Sequence, residues 1–310
     1  MTHVVVLNPL ALYQPYSDER AVAERLGATF HADAPPDADL LARATIVLSH
    51  SVPMDAAFFD RVPSCRLVVT YSTGVDHIDV EAAEARGIRV RGVAGYCTED
   101  VAEHALAMIL SCARRLHQLD RELREHGTWD VIQSAPGRHR LSRQTLGIVG
   151  VGRIGRALGR KASALGMRVM GYDPLLDATP AEFPGELVTL ARLLSESDYV
   201  SLHAPLLPST RNLIGAAELR AMKPTAFLIN NARGGLVDEA ALVAALEERQ
   251  IAGAALDVRV HEPPLPTDPL RRRADVLVTP HAAAFTVEAI EDLRELVAEY
   301  LQEALIGVEA

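Results

Sequence analysis

The stretch that decides the fold is residues 145–173, TLGIVGVGRIGRALGRKASALGMRVMGYD. It spells a strand, a glycine turn, a helix and a second strand ending in an acid. Leu146, Ile148 and Val149 lead into Gly150, Gly152 and Gly155, and Ile154, Leu158 and Leu165 then recur at helical spacing. In such a turn the first glycine permits the tight bend, the second lets a pyrophosphate approach the backbone, and the third lets helix pack closely on strand. The phosphates meet free N–H groups at the helix N-terminus. Asp173 ends the second strand, where a carboxylate accepts both ribose hydroxyls. A 2′-phosphate is repelled there, and Pro174, Leu175 and Leu176 follow without a cation, so the expected cofactor is NAD rather than NADP. Glycine turns also occur for structural reasons. It is the flanking strand, helix and acid that make this one read as a dinucleotide site.

Outward from that unit, short apolar runs alternate with helical patterns in both directions. Before it, strands are expected at 4–7, 45–49, 67–71 and 88–90, with helices at 18–26, 54–61 and 80–86. Val101, Ala105, Leu106, Ile109, Leu110, Ala113 and Leu116 predict one long helix, which Thr98 caps and whose first turn holds Glu99 and Asp100. Residues 120–141 form a polar, Arg-rich arm carrying Trp129, which reads either as a surface loop or as a segment packing on another subunit. After Asp173 come helices near 190–194, 217–222 and 239–249, strands at 199–203, 226–229, 253–258 and 276–279, and a last helix over 287–306. Alternation of this kind implies parallel sheets with right-handed crossovers. The predicted fold class is α/β, two doubly wound parallel-sheet domains, Rossmann-like and flavodoxin-like. The first lacks a GxGxxG turn and is not expected to hold a dinucleotide.

The 310 residues are enough for two cores. A net charge of −10, with no basic run beyond Arg271, Arg272 and Arg273, argues against nucleic acid as a partner. No apolar stretch reaches membrane length, and the N-terminus lacks a signal sequence, so the expected location is the cytosol and no membrane is a partner. Cys65, Cys97 and Cys112 are widely spaced with no CxxC pair and read as buried thiols, and no metal site is expected.

Polar residues cluster where strands end: His203, Asn231 with Arg233, Asp257 and His281. Ligands gather at carboxyl ends of strands in such sheets. Arg233, in NARGGLVDE, offers a planar fork suited to a carboxylate, or an ion pair to Asp238 at a helix start. If Glu262 meets His281, the carboxylate orients the imidazole and stabilises its protonated form, as an acid/base for a ketone oxygen requires. His261 is the alternative that sequence leaves open.

These motifs together resemble the D-isomer-specific 2-hydroxyacid dehydrogenase family. The resemblance runs through YSTGVDHIDV (71–80), GYCTEDVAEHALAMIL (95–110), the glycine turn, HAPLLPSTRNLI (203–214), NARGGLVDEAAL (231–242), LDVRVHEPP (256–264) and TPHAAAFT (279–286). It implies a catalytic trio of Arg233, which binds the 2-oxo acid's carboxylate, His281 as acid/base and Glu262 as its orienting partner. It further implies backbone amides of Ser72, Thr73, Gly74 and Val75 against the substrate carboxylate. Around NAD it implies, beside the glycines, Arg153, Ile154, Asp173, His203, Pro205, Thr210, Ala232, Asp257 and Ala283. A homodimer, a substrate-binding domain of residues 1–98 and 283–310, a dinucleotide domain of 99–282, and an active-site cleft between them are also implied. His77 stands where many members have Asn, Arg259 replaces a usual aromatic, and the glycine common after the histidine is absent; these bear on pocket shape. Glu103 and His104 fit the helix motif and read as structural. The rival reading is a nicotinamide-sensing regulator on this fold, which needs the nucleotide site but not the trio; a methyltransferase leaves the trio unexplained.

Overall fold

The computed structural model describes residues 2–7, 13–32, 35–130 and 137–307. In chain order these form β1 (His3–Leu7), α1 (Ser17–Arg25), β2 (Thr29–His31), α2 (Ala38–Arg43), β3 (Ile46–Ser49), α3 (Ala56–Asp60), β4 (Leu67–Thr70), α4 (Val80–Glu84), β5 (Arg89–Gly92), α5 (Thr98–Arg114) and α6 (Leu116–His126). There follow β6 (Thr145–Val149), α7 (Arg153–Ala164), β7 (Arg168–Tyr172), β8 (Glu186–Leu187), α8 (Leu190–Glu196), β9 (Tyr199–Leu202), α9 (Ala216–Ala221), β10 (Phe227–Asn230), α10 (Glu239–Glu247), β11 (Gly253–Leu256), β12 (Val276–Val278) and α11 (Val287–Ile306). Two compact units result, Met1–Cys97 with Phe285–Ala310, and Thr98–Ala284.

The first unit is a five-stranded parallel sheet in the order β2-β1-β3-β4-β5. Alternate residues serve opposite faces: Val4, Ile46 and Val69 pack with Leu293, Val297 and Leu301 of α11, while Val5, Val47 and Val68 pack with Phe59 and Val62. Both faces are covered, so the strands read as continuous apolar runs rather than alternating ones. The helix expected over 54–61 begins only at Ala56. Asp55 caps it by accepting from the Phe58 N–H at 2.9 Å, a position outside the helix, and Met54 forms a bridge with Ile78 instead. The sequence predicts neither β2 nor α2. Three and six residues are too few to display a period.

The second unit is a seven-stranded parallel sheet in the order β12-β11-β10-β9-β6-β7-β8. The chain steps outward from β6 to β7 and β8, then returns to lay β9 on the other side of β6. The reversal opens a crevice at the carboxyl ends of β6 and β9, where open sheets of this kind take their ligands. Leu228 faces a core shared with Leu193, Leu219 and Leu242, and its neighbour Ile229 faces one shared with Ala105, Ile109 and Leu158. The predicted long helix divides: α5 stops at Arg114, Arg115 turns left-handed at φ +54°, and α6 follows. The polar arm therefore begins as helix, and its residues 131–136 lie outside the described residues. Among the described residues no helix is long and apolar enough to cross a membrane.

Candidate functional site

The glycine turn closes β6 against the end of β9. Gly150 has φ +94°, and a Cβ there would lie 2.7 Å from the His203 carbonyl carbon, so both conformation and contact require glycine. A Cβ on Gly155 would meet the Gly150 oxygen at 2.2 Å, which lets α7 start hard against the strand. Gly152 differs, because nothing lies within 4 Å of its added Cβ. The protein's own packing leaves that position open, as a pyrophosphate approaching the backbone requires. Arg153 and Ile154 begin α7 beside it.

Asp173 is the residue immediately after β7. Its Oδ2 accepts from the Val151 N–H and its Oδ1 from the Leu175 N–H, each at 3.0 Å, so it braces the glycine turn and still has lone pairs to offer. Asp173 also borders a cup of about 490 Å³ with Tyr172, Val188, Thr189 and Arg192. A cation thus stands in that neighbourhood after all, although not in the residues that follow Asp173. Arg192 is engaged by Glu196 at 2.8 Å and Glu186 at 3.0 Å. After β9, desolvation holds the His203 imidazole down at about 4, so it is neutral at pH 7, with Nε2 2.8 Å from Ser201 Oγ. Thr210 staples the next loop, donating to the Pro205 carbonyl at 2.7 Å and accepting from the Leu207 N–H at 2.8 Å.

His281 and Glu262 come together. Nδ1 of His281 lies 2.7 Å from Glu262 Oε2, leaving Nε2 as the nitrogen that can face a substrate. Glu262 Oε1 accepts from the Arg259 N–H at 2.8 Å, which fixes the carboxylate. The bond to Glu262 raises the His281 pKa against the opposing effects of burial and the Arg233 charge, and Asp257 adds to the rise. Burial alone would raise Glu262, but its bonds to His281 and the Arg259 amide, with the charges of His281 and Arg233, hold it below its ordinary value. Glu262 takes His281 as its partner; His261 is exposed. At His281 the backbone is left-handed, φ +54°, a conformation that costs a side-chain-bearing residue on the order of 1 kcal/mol and that the surroundings must impose.

Arg233 acts electrostatically on both members of that pair. Its loop is stapled by Asn230, whose side chain donates to the Arg233 carbonyl at 2.9 Å and accepts from the Ala232 N–H at 3.1 Å. Asp238 caps α10 by accepting from the Ala241 N–H. A Cβ on Gly234 would lie 2.0 Å from the Arg259 carbonyl carbon, so the loop bearing Arg233 is pressed against the loop bearing Glu262. Beneath them Arg259, with its side chain 4% exposed, pairs with Glu239 at 2.8 Å and Asp268 at 2.7 Å. Here the arginine in place of an aromatic is a buried anchor. Asp257 receives the amides of Ala282 and Ala283 and the hydroxyl of Thr279. Sequence reasoning missed Asn230, Thr279 and Glu239; a buried polar residue at a strand end was the one signal available for the first.

In the first unit, Ser72, Thr73, Gly74 and Val75 follow β4. Among the described residues none of their four N–H groups has an acceptor, whereas Ser72 and Thr73 side chains bond the Gly74 and Val93 carbonyls. A run of free amides suits an anion. Among the described residues no cluster of three or more His, Cys, Asp or Glu could hold a metal.

Comparison with known proteins gives the family and the fold. Residues 106–283 match the family model of the D-isomer specific 2-hydroxyacid dehydrogenase NAD binding domain. The chain is 44% identical to the glyoxylate reductase of Korarchaeum cryptofilum over 252 residues, 80% of this chain and 76% of that one. It is 42% identical to the D-3-phosphoglycerate dehydrogenase of Synechocystis over 246 residues, 79% of this chain but 44% of that one. The D-lactate dehydrogenase of Aquifex aeolicus, solved with NAD and lactic acid, superposes with a TM-score of 0.87 at 27% identity, covering 98% of this chain and 96% of that one.

Proposed function

The chain belongs to the D-isomer specific 2-hydroxyacid dehydrogenases, and from that premise we propose that it interconverts a small, unphosphorylated 2-oxo acid and its D-2-hydroxy acid, chiefly as a reductase. Its cofactor is NAD, which when reduced supplies the hydride that reaches C2. Arg233 takes the substrate carboxylate in its planar fork and polarises the neighbouring carbonyl. In the first unit, the free amides of Ser72, Thr73, Gly74 and Val75 are further candidate donors to an acid anion. His281 gives its Nε2 proton to the carbonyl oxygen as C2 becomes tetrahedral, and takes a proton back from solvent. Glu262 fixes the ring and stabilises its charged form. Asp173 binds the ribose hydroxyls, and the open face at Gly152 receives the pyrophosphate. Arg153, Ile154, His203, Pro205, Thr210, Ala232, Asp257 and Ala283 complete the cofactor's surroundings.

The observation that carries the assignment is the 2.7 Å bond from His281 Nδ1 to Glu262, with Arg233 acting on both. The substrate class rests on residues 49–53, SHSVP, which bring no Arg or Lys for a phosphate, and on the likeness to glyoxylate reductase. The test is NADH oxidation with glyoxylate, hydroxypyruvate, larger apolar 2-oxo acids and phosphohydroxypyruvate. Turnover is expected with the small acids and not with the phosphorylated one. NADH binding without turnover of any of them overturns the enzyme reading and leaves a sensor.

The same proposal includes a homodimer working in the cytosol. Leu116, Leu123 and Trp129 are exposed on and after α6, the last at 82%, and three buried free thiols suit a reducing compartment. A monomer in sedimentation would refute the dimer.

A further inference from the structure

Asp257 captures three consecutive amides. Its carbonyl oxygen accepts from the His281 N–H at 2.8 Å, its Oδ1 from Ala282 at 2.9 Å and its Oδ2 from Ala283 at 3.0 Å. Successive N–H groups converge in this way where neighbouring residues differ in hand, and His281 is the residue that turns left-handed. Asp257 therefore holds the backbone on both sides of His281, its carbonyl taking the N–H of 281 and its carboxylate those of 282 and 283, and through them the aim of the imidazole at Glu262.

The carboxylate is itself held from α5. Thr279 Oγ1 lies 2.5 Å from Asp257 Oδ1, and His104 Nε2 lies 3.1 Å from Thr279 Oγ1 and 3.5 Å from Asp257 Oδ1. Proton accounting fixes the directions. Thr279 donates its single hydroxyl proton to Asp257; it then offers His104 only lone pairs, and Nε2 must carry hydrogen. The helix is fixed in turn by buried Asn231, which donates from its side chain to the Val101 carbonyl at 2.9 Å. Glu103, beside His104 in sequence, points instead to Lys161.

We propose that His104 is a positioning residue for the acid/base group: its Nε2–H sets the Thr279 hydroxyl, which sets the Asp257 carboxylate, which holds residues 282 and 283 in the turn that aims His281 at Glu262. This rests on His281 being the acid/base of the proposed reaction. His104→Phe fills the volume without the donor, and His104→Gln restores an N–H. In His104→Phe, kcat falls by at least about tenfold, within the ~10²-fold that a misplacement of about 1 Å can cost, while KM for the 2-oxo acid changes little. The alkaline limb of the reduction profile moves to lower pH, because His281 loses Glu262 while the charges of Arg233 and Asp257 still face it. His104→Gln recovers most of both.

Thr279→Val removes the hydroxyl at nearly constant shape, reproduces the phenotype and serves if His104→Phe does not fold. The double variant should be no slower than the worse single, since both break one chain of bonds. Unchanged kcat and pH limb in folded His104→Phe, or a double variant whose losses multiply, overturns this inference alone. A fully active His281→Ala overturns it together with the reaction assigned to His281.

Discussion

Gly234→Ala isolates the contact that presses Arg233's loop onto Glu262's. The backbone at Gly234 is not in the left-handed region, so alanine brings no conformational strain and its effect is steric. The added methyl would stand 2.0 Å from the Arg259 carbonyl carbon and 2.4 Å from the Val260 nitrogen, against 3.4 Å for ordinary contact. Relief therefore needs a separation of about 1.4 Å between two backbones, which no side-chain rotation can supply. The Arg259 N–H is also a donor to Glu262, so the shift passes directly to the carboxylate that holds His281. A misplacement of this size costs about 10²-fold in rate, or ~2.7 kcal/mol of transition-state stabilisation, and overpacking lowers stability by about 1–3 kcal/mol. The assay is steady-state kcat/KM with the best 2-oxo acid, beside NADH affinity by fluorescence and a urea unfolding curve. The expected variant is folded, binds NADH nearly as the parent does, and is about 10²-fold slower. A folded variant within threefold of the parent would refute the idea that this contact sets the site.

Gly152→Ala should behave in the opposite way: stability near the parent's, since nothing lies within 4 Å of the new methyl, but NADH affinity lowered by tenfold or more in titration. His281→Ala should cut kcat by ~10² to 10⁴ with NADH affinity nearly intact; turnover equal to the parent's would remove His281 from the chemistry. Reduction needs protonated His281, so its rate falls as pH rises through the raised His281 pKa, and Glu262→Gln should move that limb to lower pH. The pair's contribution to stability is lost as pH rises through the raised His281 value and as pH falls through the lowered Glu262 value. It is complete between their ordinary values, roughly 4.3 and 6.5, and urea midpoints across pH check this. Glu239→Ala leaves buried Arg259 with Asp268 alone and should destabilise by about 2–4 kcal/mol; a loss under about 0.5 kcal/mol in urea unfolding would mean that the anchor is relaxed or hydrated.

How far the site could be read from the chain depended on whether the reason for a residue lies in its own neighbourhood. The strand, turn and helix around Gly150 are local, and the last helix is bounded by Thr286, which caps it, and Gly307, so these were legible. The break after Arg114 was not, because the apolar period runs on through Leu116 while the backbone turns at Arg115. Glycines make the distinction sharpest. In the sequence Gly152 and Gly234 are the same letter in similar loops, yet one is open in the folded unit and the other is closed by Arg259 and Val260. Close approach between segments distant in the chain has no local signature, since neither segment alone is unusual. The same holds for Asp257: its position after a strand suggested a ligand, whereas its capture of the amides of 281, 282 and 283 depends on β11 and β12 lying side by side. Residues that touch the reacting atoms are thus visible as unexpected polarity at strand ends, and those that aim them emerge only when the strands are in register.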